Sequence, residues 1–352
     1  MKTMFACILA LAAVVSCSQA ASTDMPEWRW KDPEPPEETP AQEPHPALIE
    51  NGWTNVTGNF AALPEGIAIY RAPEDIGGNK TVAFMAVADM SKINWDVLSI
   101  DDPKISGTTE KLKTPAEYFQ ETGAPVIVNG GYFFSEGGKQ YNASVAVSDG
   151  RFYGVNINYA SLDWETFYYP TRGVFYQNDS GTPATGWTYW TGGAAHYLYN
   201  KPAQNSWSND PLQTPDANFP VKAENFAPKT AIGAGPVLLK GGEVVNSWEA
   251  ELFYGNSSDD KMPEARHPRT VIAWHPDGLL IIFVCEGRGM TDGVAGMTFA
   301  EEAALMKALG CTEALNLDGG GSSCLLIQGK ETIKVSDGEQ RPVGSVIVLK
   351  AK

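Results

Sequence analysis

The sequence predicts an α+β fold: a large mixed or antiparallel sheet with few helices and a loop-rich aromatic insertion. Three observations carry this. Eight segments have strand character and only two have helix character. The 352 residues include 35 Gly and 24 Pro, enough punctuation for many turns. Hydrophobic content of 43% and charged content of 19% are those of an ordinary globular chain.

The N-terminus reads as a targeting segment. Lys2 precedes the apolar run FACILALAAVV, which is too short to span a membrane as a mature helix. It ends in VVSC, so residues 1–17 are expected to be a lipoprotein signal with Cys17 as the acylated residue, the alternative being an ordinary signal peptide cleaved at Ala20 or Ala21. Residues 18–50 read as a disordered tether rich in Pro and Glu, with eight acidic and two basic residues between Asp24 and Glu50. A single domain is expected over 51–352. The implied location is the cell envelope, with the membrane as a partner through the lipid anchor alone.

Within the domain, strands are expected in GIAIYRA (66–72), KTVAFMAVAD (80–89), APVIVNGGYFF (124–134), ASVAVSDGRFYGV (143–155), AIGAGPVLLKGGEVV (231–245), RTVIAWHPDGLLIIFVCEG (269–287), ALNLDGGGSSCLLIQ (314–328) and GSVIVLK (344–350). The DG pairs at 149–150 and 277–278 mark hairpin turns. Helices are expected in TPAEYFQETG and TFAEEAALMKALGC, capped by Thr114 and Thr298 and stopped by Gly123 and Gly310. The tract 156–230, crowded with Trp, Tyr, Asn, Ser and Pro, reads as irregular decoration.

Net charge is −16 and no basic stripe is present, which excludes nucleic acid as a partner. Cys285, Cys311 and Cys324 fit no zinc spacing and read as buried thiols, one disulfide remaining open. The four histidines have no ligand spacing, so no metal or cofactor is expected, a structural calcium aside. No G-x-S-x-G elbow marks a serine hydrolase, and GGGSS lacks the Lys of a P-loop.

The chemistry concentrates in residues 266–324. A hairpin turning at HPDG brings Arg269 beside EGRG, with Glu286 and Arg288. A helix from Thr298 and a returning strand of nearly equal length then carry Asp318 back to that pole. Cations, carboxylates and helix N–H groups together suit an anionic ligand such as a phosphate.

The run GMTFAEEAALMKALGCTEALNLDGGGSS resembles the signature of the phosphodiester glycosidase family, which includes the mannose 6-phosphate uncovering enzyme and bacterial relatives. VNGGYFF, AIGAGPVL, RHPRTVIAW and QRPVGSVIVL match in order, so the resemblance covers roughly 120–352. It implies an exported hydrolase that cleaves an α-linked sugar, such as N-acetylglucosamine, from a sugar 1-phosphodiester. Asp318 becomes the candidate nucleophile or general base, and the alternative is a turn aspartate capping the glycines. Arg269 is the candidate phosphate holder, against a structural ion pair. Glu301 and Glu286 compete as second carboxylate, although T-x-x-E from Thr298 to Glu301 is already a capping box. Substrate contacts are expected from Asn129, Gly130, Gly131, Tyr132, Gly233, Gly235, Arg288, Asn316, Gly319, Gly320, Gly321, Ser322 and Arg341. His267 is a lesser pole residue. Trp164, Tyr168, Tyr169, Trp187 and Trp190 are candidates for stacking on sugar rings. The rival reading is a non-catalytic cell-surface glycan-binding lipoprotein on the same fold.

Overall fold

A computed structural model describes residues 43–105, 107, 110–178, 181–193, 195–253 and 263–352. Cys17 and the signal, with most of the tether, lie outside the described residues. The last tether residues, Pro46–Glu50, form a short helix whose Leu48 is buried with Trp53 and Tyr70. An apolar Leu within a Pro/Glu stretch was the available signal for this end of the folded unit.

Each segment with strand character forms a strand, and the pairings between named strands are antiparallel. The described strands divide into sheets of eight, seven and five, with two two-stranded sheets, rather than one large sheet. Glycine explains the division. Val126–Asn129 lies in the five-stranded sheet, and NGG then turns the chain into a separate hairpin from Phe133–Glu136. Thr230–Gly233 belongs to the seven-stranded sheet and Val237–Lys240 to the eight-stranded one, with Gly235 at φ +145° between them. Glu313–Asn316 lies in the eight-stranded sheet and Leu325–Ile327 in the five-stranded one, separated by DGGGSS. Three glycine motifs are thus three places where the chain leaves one sheet for another.

Strand alternation sorts side chains between layers. In Arg269–His275, Ile272 enters a central core shared by all three sheets. Its neighbours Val271 and Ala273 face the helix Phe299–Ala308 through Phe299, Ala303 and Met306. In Ser345–Ala351, Ile347 and Leu349 face the same central core, while Val346 and Val348 pack with Tyr118 of the helix Pro115–Thr122. Both helices begin in capping boxes, at Thr114 and Thr298.

The tract 156–230 departs from its expected irregularity. It contributes Arg172–Gln177, Ala184–Trp190, His196–Tyr199 and Glu224–Asn225 to the seven-stranded sheet. Its aromatics are partly core: Phe175, Trp187 and Tyr199 are fully buried. A second strand missed from sequence is Ile93–Ser99, whose Asn94 and Asp96 interrupt the apolar run while Ile93, Trp95 and Val97 alternate inward.

Candidate active site

The Arg269 hairpin closes with Arg269 opposite Cys285, which brings it beside the EGRG stretch as expected. One cavity of about 490 Å³ opens at this end of the sheet. Its floor is Asp318 and Gly319–Gly321, and Arg269, Arg288, Arg341 and His267 stand over it. Tyr132, Ala143, Ile157, Arg172, Leu252 and Phe253 form the rest of its wall.

The floor is held by mutual hydrogen bonds among the three glycine motifs. Asn129 donates from Nδ2 to the Asp318 carbonyl (2.6 Å) and accepts at Oδ1 from Thr270 Oγ1 (2.9 Å) and Cys324 N (3.1 Å). Asp318 N donates to the Gly130 carbonyl (3.1 Å). Asn316 donates from Nδ2 to the Gly235 carbonyl (2.7 Å), as does the Tyr132 hydroxyl (2.7 Å). The two asparagines therefore fasten backbone, and both are buried behind the floor instead of lining the cavity.

The glycines serve different ends. At Gly131 an added Cβ would lie 2.2 Å from the Gly233 carbonyl oxygen, at Gly130 2.4 Å from Ser345 Oγ, and at Gly233 2.3 Å from Asn156 Oδ1. These three permit backbone to meet backbone and side chain behind the cavity, and Gly235 admits Glu251 and Phe253. Gly320 and Gly321 do line the cavity, but the space they leave is occupied by arginine. A Cβ on Gly320 would lie 2.8 Å from Arg288 Nη2, and one on Gly321 2.1 Å from Arg341 Nη2.

Asp318 is half-buried, with burial raising its pKa to about 6 against the opposing pull of a Ser322 hydrogen bond and the Arg341 charge. Ser322 also accepts from Arg341 Nη1 (3.4 Å). Asp337 receives Arg341 through Nε (2.9 Å) and Nη2 (2.6 Å), which fixes the guanidinium beside the floor. Arg288 is exposed, has the left-handed φ of +56°, and donates only weakly to Ser336 Oγ (3.4 Å).

Arg269 reaches the cavity but is 3% exposed. Its Nε donates to the Met297 carbonyl (3.0 Å), Nη2 donates to the Ala265 carbonyl (3.2 Å), and its Cζ lies 4.1 Å from the Phe299 ring centroid. Much of its donor capacity is spent on holding the chain that enters the helix.

Neither second-carboxylate candidate lines the cavity. Glu301 caps its helix, pairs with Arg266 and accepts from Asn79 Nδ2 (3.3 Å). Glu286 is buried and accepts from Lys334 N (2.8 Å). Among the described residues Asp318 is the one carboxylate in the cavity lining. Of the proposed stacking residues, Trp187 and Tyr168 are buried, Trp164 and Tyr169 line a separate open cleft, and Trp190 lines neither.

Two residues escaped the sequence reading. Glu302 is fully buried at the start of its helix, with neither carboxyl oxygen hydrogen-bonded among the described residues. Burial raises its pKa to about 8 despite the nearby Arg269 charge. A polar residue on a helix's apolar face was the signal. Arg172 enters the cavity from the aromatic tract, where strand alternation was hidden among aromatics.

The sequence model described as phosphodiester glycosidase matches residues 122–350. The chain is 36% identical over 84 residues to the SPbeta prophage-derived uncharacterized protein YomE of Bacillus subtilis (strain 168), covering 24% of this chain and 13% of YomE. Its fold is similar to the catalytic domain of zebrafish N-acetylglucosamine-1-phosphodiester alpha-N-acetylglucosaminidase, auto-inhibited by its pro-peptide. The TM-score is 0.54 at 18% identity, covering 83% of this chain and 85% of that one. A hypothetical protein from Synechocystis gives a TM-score of 0.53 at 19% identity, covering 82% of this chain and 62% of that one. At these identities the solved structures speak for the fold alone, whereas the family match spans most of the chain and includes every element that builds the floor. The chain belongs to the phosphodiester glycosidase family.

Proposed function

We propose that this protein hydrolyses a sugar 1-phosphodiester at the C1–O bond, releasing the sugar and a phosphate monoester. The observation that carries this is the placement of Asp318 as the carboxylate of a cavity with arginines on its lining. Arg288 and Arg341 lean over the glycine floor, and they hold the phosphate in this reading. Arg269 braces the wall behind them. Asp318 takes a proton from a water that attacks C1, or attacks C1 itself to form a glycosyl ester that water then hydrolyses; in either case the electron pair of the broken C1–O bond leaves with the phosphate. A phosphate monoester is a weak base, so cationic stabilisation of the departing oxygen replaces a carboxylic acid. This fits the cavity, whose lining offers cations where a second acid was expected.

Incubation with an α-N-acetylglucosamine-1-phosphodiester tests the reading. Turnover should appear, and Asp318→Asn should lower kcat by at least a hundredfold with the fold intact. Unchanged turnover in Asp318→Asn overturns it. The anomeric configuration of the first product, followed by NMR, separates nucleophile (retained) from base (inverted).

The second reading, glycan binding without turnover, draws on the open cleft lined by Asn158, Tyr159, Trp164, Phe167 and Tyr169, where Trp164 is 73% exposed. It predicts saturable glycan binding that Trp164→Ala weakens, with no product formed. Export as a lipoprotein is a separate proposal: Cys17→Ala should release the protein from the membrane fraction, and continued lipid anchoring would refute it.

A further inference from the structure

The cavity carries more positive charge than one phosphodiester requires. Four arginines and one aspartate line it in a chain of net charge −16. Three of the four are accounted for above: Arg341 is paired with Asp337, Arg269 with two carbonyls and Phe299, and Arg288 overhangs the floor. Arg172 differs from all of them.

Arg172 begins the strand Arg172–Gln177, where its backbone is fixed by pairing with Thr188 and by Asn156 Nδ2, which donates to its carbonyl (3.1 Å). Its guanidinium lies 4.8 Å from the Phe253 ring centroid. Its nearest countercharge is Glu251, which is fully buried. That carboxylate is already occupied: Oε2 accepts from Gly173 N (2.7 Å), and Oε1 accepts from Val237 N (3.0 Å), Trp187 Nε1 (3.0 Å) and Ser247 Oγ. Among the described residues no acceptor takes a hydrogen bond from the Arg172 guanidinium, and its Nε is buried. A planar fork of donors is thus held beside an aromatic face and the Glu251 carboxyl, whose pKa burial raises, and it borders a cavity with its hydrogen bonds unmade. Leaving buried donors unmade is costly, and a bound anion would remove that cost.

The position within the cavity assigns the anion. Arg288 and Arg341 stand over the floor beside Asp318, whereas Arg172 shares its wall with Tyr132, Phe253 and Ile157. Aromatic and aliphatic faces suit a sugar ring, and the floor suits the phosphate. We propose that Arg172 forms a second anion-binding subsite that recognises a negatively charged group on the sugar itself, a carboxylate or a second phosphate. The inference rests on the sugar-phosphate reading of the cavity and adds the substrate class: an acidic sugar joined through a 1-phosphodiester.

Calorimetric titration of the whole protein with glucose 1-phosphate, glucuronic acid 1-phosphate and glucose 1,6-bisphosphate tests this. At least one of the two ligands with a second anionic group should bind ten times or more as tightly as glucose 1-phosphate, and which one does so identifies the group. Arg172→Gln should erase that gain and leave glucose 1-phosphate affinity within about twofold. Arg172→Lys, which keeps the charge without the fork, should retain part of it, and thermal melts of both variants check folding. The proposal is overturned if neither ligand with a second anionic group gains affinity. It is equally overturned if Arg172→Gln weakens all three ligands alike, because Arg172 would then serve the glycosidic phosphate. Failure of the underlying reading looks different: wild-type protein would not bind glucose 1-phosphate, or Arg288→Gln would leave its binding unchanged.

Discussion

Asp318 occupies a site that pulls its proton affinity in two directions. Burial raises the pKa to about 6, while Ser322 and Arg341 oppose the rise. A nucleophile or base must be ionised, so kcat/KM should climb with pH through about 6 and level off above 7. Removing the Ser322 hydroxyl removes a group that favours the carboxylate. Ser322→Ala should therefore move the acidic limb of the profile to higher pH, and an unmoved limb would assign that limb to another group. Glu302 gives the companion prediction for stability. Its folded-state pKa, about 8, lies above its unfolded value. The stabilisation linked to its bound proton is fully present below pH 4.5, and it is lost as pH rises through about 8. Glu302→Gln, which stays neutral, should raise Tm more at pH 9 than at pH 5. Equal shifts at both pH values would show that Glu302 does not titrate in the native protein.

At the scale of elements, the hairpin from Arg269, the capping boxes and the DGGGSS turn were legible in sequence because each depends on neighbours along the chain. The hairpin register follows from its turn, and the caps from a Thr three residues before a Glu. The purpose of the glycines was not legible, because it depends on what approaches from another sheet. Gly131 meets a carbonyl, whereas Gly321 meets the ends of the Arg341 and Asp337 side chains. Backbone yields less readily than a side-chain tip. Gly131→Ala should lower Tm by several degrees, on the order of 2 kcal/mol or more of overpacking. Gly321→Ala should fold near the wild-type Tm but lose tenfold or more in kcat/KM as Arg341 is displaced. The reverse pattern would refute this division between the two glycines. Arg172 was illegible for the same reason, since its cavity wall is assembled from the strand Arg172–Gln177 and the turn ending at Phe253, far apart in sequence.

Among the described residues, a central core cluster draws on all three large sheets, including Ile69, Phe175 and Ile347. The sheets should therefore unfold together. Three free, buried thiols report on this from different places: Cys285 in the eight-stranded sheet, Cys311 after the helix Phe299–Ala308, and Cys324 before Leu325–Ile327. Burial raises the pKa of each, to about 12 for Cys285 and Cys311, so none is reactive while enclosed. In a denaturant series followed by mass spectrometry, a thiol reagent should label all three with the same midpoint. Separate midpoints would show that the sheets melt independently.

The junction of the three glycine motifs also governs how such a protein can change its substrate. Asn129 and Gly130 hold the Asp318 backbone, and Asn316 fastens Gly235 beside it, so the floor tolerates little variation without disturbing the fold that carries it. The wall is under less restriction: Arg172 and Ile157 face the cavity without closing that junction. In a mutational library selected for new activity, surviving diversity should gather on the wall and be nearly absent from the floor. The bond that is broken would then be inherited with the architecture, and the sugar that is accepted would be set by a few side chains beside it.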